Sequence, residues 1–155
     1  MKVGRFDPRT DSNSVRACYE IYLSGLPVDD PLGPPMSPRA FAGWLTLGWT
    51  EDPQETWLAR DDSGRPCAWY ALSLPQRENR QLAGLSLMVH AGWRRAGRGT
   101  ALLRHAAGRA RQAGRPKNQR TAEGHLIEGT ATQGWREALA AFDKRWPGRI
   151  PDWAM

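Results

Sequence analysis

The chain has 155 residues, 40% hydrophobic and 25% charged, the mixture of a single globular domain able to bury a core. That composition excludes wholesale disorder, and no apolar run reaches the roughly 18 residues needed to span a membrane. Lys plus Arg total 22 against 16 Asp plus Glu, a net charge of +6, and the excess is local. From Asn79 to Ala122 there are ten basic side chains and no acidic one, while the rest of the chain carries 12 basic and 16 acidic. A field of this kind suits an anionic ligand: a phosphorylated small molecule, a nucleic acid or an anionic membrane. It is equally the mark of a solvated basic helix face. Two cysteines, Cys18 and Cys67, are too few for a disulfide framework or a zinc site. With no apolar stretch after Lys2, no secretory leader is expected, and the reading is a cytoplasmic chain with two buried thiols and no metal.

Val3 to Phe6 reads as a short first strand. Asp11 or Ser12 caps a helix from about Asn13 to Leu23, on which Val15, Cys18, Tyr19 and Tyr22 share a face. Gly25 to Pro38, with five prolines and two glycines, reads as a loop. Ser37-Pro38 then opens a second helix that ends near Gly48. Glu55 to Arg60 and Pro66 to Leu74 read as a hairpin turned by Asp61-Asp62-Ser63-Gly64. Leu82 to Val89 is apolar enough for a strand buried on both faces. A glycine- and arginine-rich turn, His90 to Gly99, leads into a helix from about Gly99 to Ala113, with Leu102, Leu103, Ala106, Ala107 and Ala110 as its stripe. Thr121 to Glu128 is expected as a fifth strand. Trp135, Leu139, Phe142 and Trp146 define a last helix. The order is that of a mixed α/β sheet.

The densest chemistry lies in Arg94-Arg95-Ala96-Gly97-Arg98-Gly99. Glycines let a ligand approach the backbone closely, the next helix begins with unpaired N–H groups, and arginines add forked donors. Together they make a pyrophosphate cradle. The P-loop spacing is absent, and so is the acidic residue that a dinucleotide fold needs about 20 positions later.

Arg94-x-x-Gly97-x-Gly99, after an apolar strand and before Ala101-Leu102-Leu103, resembles the acyl-CoA motif of the GNAT N-acyltransferases. Residues 48–60 and 78–80 and the segment from Leu85 to Ala106 resemble one half of an actinobacterial two-domain GNAT. The resemblance implies a GNAT-like fold over residues 1–155. Within it, 1–54 would form the first strand and the acceptor-side helices, 55–113 the hairpin and the CoA-binding strand, turn and helix, and 114–155 the remainder. The central sheet would have five to six strands flanked by about four helices, without the family's last hairpin. It implies acetyl-CoA as donor, held by backbone groups of Met88 and Val89 and by Arg94, Arg95, Ala96, Gly97, Arg98, Gly99 and Thr100. A primary amine on a small molecule would attack directly, with residues from Leu26 to Met36 on the acceptor side, where Asp29 and Asp30 could draw in a cation.

Two departures stand beside it. The strand from Leu82 to Leu87 has no carboxylate to serve as base, and no tyrosine follows Tyr70 to serve as acid. Glu78, Glu123 and His125 are substitutes, the last two sharing a face of one strand. His90 and His105 are expected to be structural, and Arg104, Arg109 and Arg111 to form a solvated face. The uncovered fifth strand would want a partner, either a second copy or another chain. The competing readings are a non-catalytic acyl-CoA-binding or protein-interaction module and, less well supported, a nucleic-acid binder.

Overall fold

In the computed structural model, which describes residues 1–48, 53–77, 80 and 82–115 and the backbone of 117–122 and 125–130, six strands form one sheet in chain order. They are β1 (Lys2–Phe6), β2 (Gln54–Arg60), β3 (Pro66–Ser73), β4 (Gly84–Val89), β5 (Lys117–Ala122) and β6 (His125–Thr130). All neighbours pair antiparallel except β4 and β5, which run parallel, as a strand–helix–strand crossover requires. The helices are α1 (Ser12–Asp29), α2 (Pro38–Leu47) and α3 (Arg98–Gln112), with a single 3-10 turn at Ala91–Trp93. No helix among the described residues is long and apolar enough to cross a membrane.

The alternation of β3 makes the layers. Tyr70 and Leu72 face α3 and pack with Leu85, Leu102, Leu103, Ala106 and Ala110. Trp69 and Ala71 face the other way, onto Cys18, Ile21, Phe41 and Leu45 from α1 and α2. Both cysteines are free thiols and buried. The second core is aromatic: Phe41 lies between Tyr19, Tyr22, Trp44 and Trp69 at centroid distances of 5.3 to 6.0 Å. Tyr19 donates to the Met36 carbonyl at 2.8 Å, and the Met36 N–H donates to the Tyr22 hydroxyl at 2.9 Å. The loop before α2 is thereby pinned to α1 at both backbone atoms of one residue.

Four expectations are corrected. α1 runs six residues past Leu23, through Gly25 and Pro27, to an Asp30 cap whose N–H reaches the Leu26 carbonyl at 2.9 Å. Contacts with the turn before α3 hold this extension: the Ala91 N–H donates to Ser24 Oγ at 3.0 Å. The expected single fifth strand is a hairpin instead, with Ala122 opposite His125. Gly124, between the two strands, was the local signal for that reversal. β5 is thus not an open edge, because β6 covers it. β4 is not buried on both faces either. Leu85 is buried and the rest of the strand half-buried. The expected last helix lies outside the described residues.

Candidate active site

The site is built around the end of β4. Register Ala68↔Val89 to Ser73↔Gly84 continues to Cys67 and His90, where the His90 N–H donates to the Cys67 carbonyl at 2.9 Å. Hydrogen-bonded and non-hydrogen-bonded pairs alternate along an antiparallel ladder. Ser86 and Met88 therefore spend their backbone groups on β3, while Leu85, Leu87 and Val89 direct theirs to the opposite edge. On that edge β5 pairs only at Gly84↔Gln119 and Leu85↔Arg120. Beyond Leu85 the two parallel strands share no further pair, and the N–H and C=O of Leu87 and the N–H of Val89 border the opening. Sequence reasoning named Met88 and Val89. The register turns Met88 the other way and brings in Leu87, which only pairing could reveal.

The turn after β4 bends through two left-handed residues, Arg95 at φ 67° and Gly97 at φ 73°. Successive backbone N–H groups in such a bend line a concavity suited to an anion. Gly97 is the N-cap of α3, and no side chain caps it. The first intrahelical bond runs from the Ala101 N–H to the Gly97 carbonyl at 3.0 Å. The N–H groups of Arg98, Gly99 and Thr100 therefore precede the ladder of the helix, at the positive end of its dipole. A Cβ on Gly97 would meet nothing within 4 Å, and one on Gly99 would meet only a Val89 methyl at 3.5 Å. The space above the turn is open. Arg98 is tied to the turn, its Nη1 donating to the Trp93 carbonyl at 3.3 Å.

Arg94 behaves differently from its expected role on phosphate. Its Nε donates to the Val89 carbonyl at 3.1 Å, and its two terminal nitrogens grip Asp29 at 2.7 and 2.6 Å. The side chain is 21% exposed. Its guanidinium is spent on protein groups, and the Asp29 hydrogen bonds hold its pKa above the ordinary value. Asp29 is correspondingly neutralised and is no free lure for a cationic amine.

The other singled-out residues fall elsewhere. Glu78 and Glu123 lie outside the described residues. His125 opens β6, and only its backbone is described, so the face it was expected to share with Glu123 lies outside the described residues. His90 Nδ1 accepts from the Gly92 N–H at 3.1 Å, a local cap. Arg109 is not a solvated cation. It holds the buried carboxylate of Glu55 at 2.6 and 3.1 Å, with Arg5 3.5 Å away and the Trp57 indole N–H at 3.2 Å. Burial pushes the Glu55 carboxyl up, but the Arg109 hydrogen bonds and the Arg5 and Arg109 charges outweigh it, and the group titrates below its ordinary 4.5. His105 Nδ1 lies 2.8 Å from the hydroxyl of buried Tyr70. Burial and the Arg109 charge lower the His105 pKa, and burial raises that of Tyr70. A cavity of about 590 Å3 beside this group is lined by Arg5, Trp57, Arg104, His105, Arg109 and their neighbours. It shares no residue with the turn or with the open edge of β4. The turn and edge remain the candidate site, because they hold the undirected backbone donors.

The family model described as the acetyltransferase (GNAT) family matches residues 15–122. Among solved structures, a tandem GNAT protein from the clavulanic acid biosynthesis pathway, without AcCoA, superposes with a TM-score of 0.68 at 24% identity, covering 78% of this chain and 36% of that one. The chain thus spans about a third of the tandem protein's length. A ribosomal-protein-alanine N-acetyltransferase from Brucella melitensis gives 0.65 at 15% identity, covering 94% of this chain and 83% of that one. A phosphinothricin acetyltransferase from Sinorhizobium meliloti, solved with AcCoA, gives 0.60 at 22% identity, covering 77% and 65%. At these identities the likeness is one of fold. No curated protein matches the sequence.

Proposed function

The chain belongs to the GNAT acetyltransferase family, and on that premise we propose that it is an acetyl-CoA-dependent N-acetyltransferase acting by direct transfer on the primary amine of a small molecule. One observation carries the reading. The open edge of β4 at Leu87 and Val89 leads directly to the uncapped N-terminus of α3, across two glycines with free space above them. An extended amide-containing arm ending in a diphosphate matches that sequence of donors. Strand-edge groups would hold the arm, and the N–H groups of Arg98, Gly99 and Thr100 the phosphates. Arg95 and Ala96 belong to the same bend, and Arg98 adds charge beside it.

Acetyl-CoA supplies an activated thioester. The protein's part is to aim a donor at the carbonyl oxygen, for which the Val89 N–H is the candidate, and to present an amine freed of its proton. Glu78, Glu123 and His125 are the candidate bases. Residues 26–36 form the acceptor side, its far end fixed by Tyr19 and Tyr22 at Met36.

Calorimetric titration with acetyl-CoA tests the reading. Wild type should bind in the micromolar range. Gly97→Trp, which imposes a bulky side chain on a left-handed backbone in the middle of the cradle, should abolish binding without unfolding the chain. A screen of amines by free-thiol release then identifies the acceptor. Tight binding with no turnover on any amine would favour a non-catalytic acyl-CoA-binding module.

A further inference from the structure

The fate of Arg94 carries an inference beyond the cradle. Its guanidinium bridges two parts of the chain that a bisubstrate enzyme must keep in register: the donor-side end of β4, through the Val89 carbonyl, and the acceptor-side end of α1, through Asp29. The contact is forked, with two parallel charge-assisted bonds that fix the guanidinium plane and so aim Nε at Val89. A carboxylate at the last position of a helix is badly placed against the helix dipole, and the guanidinium offsets it. The Val89–His90 peptide is consequently held from both sides, by Arg94 at its oxygen and by Cys67 at its N–H. Val89 is the last residue of the strand, and its carbonyl faces away from β3, where Arg94 and not the ladder holds it.

Gly25 makes room for the bridge. A Cβ there would stand 2.8 Å from Arg94 Nη2 and 2.9 Å from Asp29 Oδ2. Only a residue without a side chain lets the guanidinium lie across the final turns of α1. The Ala91 N–H to Ser24 bond stitches the same two segments one residue away.

We propose that Asp29, Arg94 and Gly25 form a positioning clamp that fixes Val89, through its carbonyl, at the end of β4, so that its neighbouring N–H stays placed beside the acyl carbonyl, and ties the acyl-donor site to the acceptor side. Asp29 acts through Arg94 and does not itself meet the amine. The inference rests on the acetyl-CoA reading above.

The test uses the full chain, acetyl-CoA as probe and three readouts: the dissociation constant, the infrared stretch of the bound thioester carbonyl, and the melting temperature. Wild type comes first. If it fails to bind acetyl-CoA, the cradle reading falls and the clamp falls with it, before any variant is made. If it binds, Asp29→Asn and Gly25→Ala are compared. Each should weaken binding about tenfold, the effect of one lost hydrogen-bonding position. Each should also return the carbonyl stretch toward that of free acetyl-CoA. Gly25→Ala removes no charge and places a good helix former in α1, so its melting temperature should hold or rise while the stretch moves. A structural tie alone would instead move stability and leave the carbonyl unchanged. Wild-type affinity and wild-type frequency in both variants would overturn the clamp.

Discussion

Arg94 and Arg109 have the same chemistry in the sequence and different work in the fold. Both sit in the acid-free stretch, yet each has found a carboxylate from the acidic remainder, Asp29 on α1 and Glu55 on β2. The basic field is therefore partly neutralised where it is buried. The Glu55 side chain is 9% exposed and that of Arg109 27%. Removing the cation strands a carboxylate in the core, which costs more than the pair contributes when intact. Arg109→Met should destabilise the chain by about 2 kcal/mol, softened by Arg5 nearby and by the partial exposure of Arg109. Combining it with Glu55→Gln should recover much of that loss, as urea unfolding of the single and double variants would show. Equal instability in the single and double variants would mean that packing of the arginine stem, and not charge, is what Arg109 supplies.

At the scale of elements, local signals worked wherever a local interaction makes the structure. Asp11 accepts from the Ser14 N–H at 2.9 Å and from the Ser14 hydroxyl at 2.7 Å, and Ser37 accepts from the Ala40 N–H at 3.2 Å. Asp11→Ala should cost about 1 kcal/mol, read by thermal unfolding, with the acetyl-CoA affinity unchanged. The hairpin turn was equally legible, since Asp61 gathers the Ser63 and Arg65 N–H groups at 2.9 and 3.0 Å. The ends of α1 and β5 were not. Helix α1 persists through Gly25 and Pro27 because distant residues of the β4–α3 turn bind its last turns, and that partner is 65 positions away in the chain. The split of β5 and β6 was written in a single glycine inside a β-like stretch. The element order of the donor half, strand–turn–helix with Gly97 at the left-handed N-cap, was readable because each feature is set within a few residues.

For the whole molecule, the two titratable groups packed between α3 and the sheet predict an acid response. His105 is held neutral below its ordinary 6.5, and the Tyr70 bond accompanies that form. Its contribution to stability is complete above 6.5 and is lost as pH falls through its lowered folded value. Glu55 is held ionised below its ordinary 4.5, so its contribution is complete above that value and is lost at still lower pH. The melting temperature should therefore fall in two stages on acidification from pH 7, and Glu55→Gln should shrink the lower stage, to which Asp11, Asp61 and Asp62, also held below their ordinary values, contribute as well. A flat profile from pH 7 to 3 would contradict both assignments.

The division between what was legible and what was not follows the range of the forces. Strand and helix order, the caps at Asp11 and Ser37, the turn glycines and the anion-binding character of residues 94–99 arise from backbone sterics and hydrogen bonds within about five positions, so the residues in order suffice to read them. Which strand-edge groups face outward, that Arg94 serves Asp29 and Val89 and not a ligand, and that Arg109 neutralises a buried carboxylate depend on register and burial. Those arise only when segments distant in the chain are packed together, because the pairing partner, and with it the direction of each donor, is chosen by the tertiary structure.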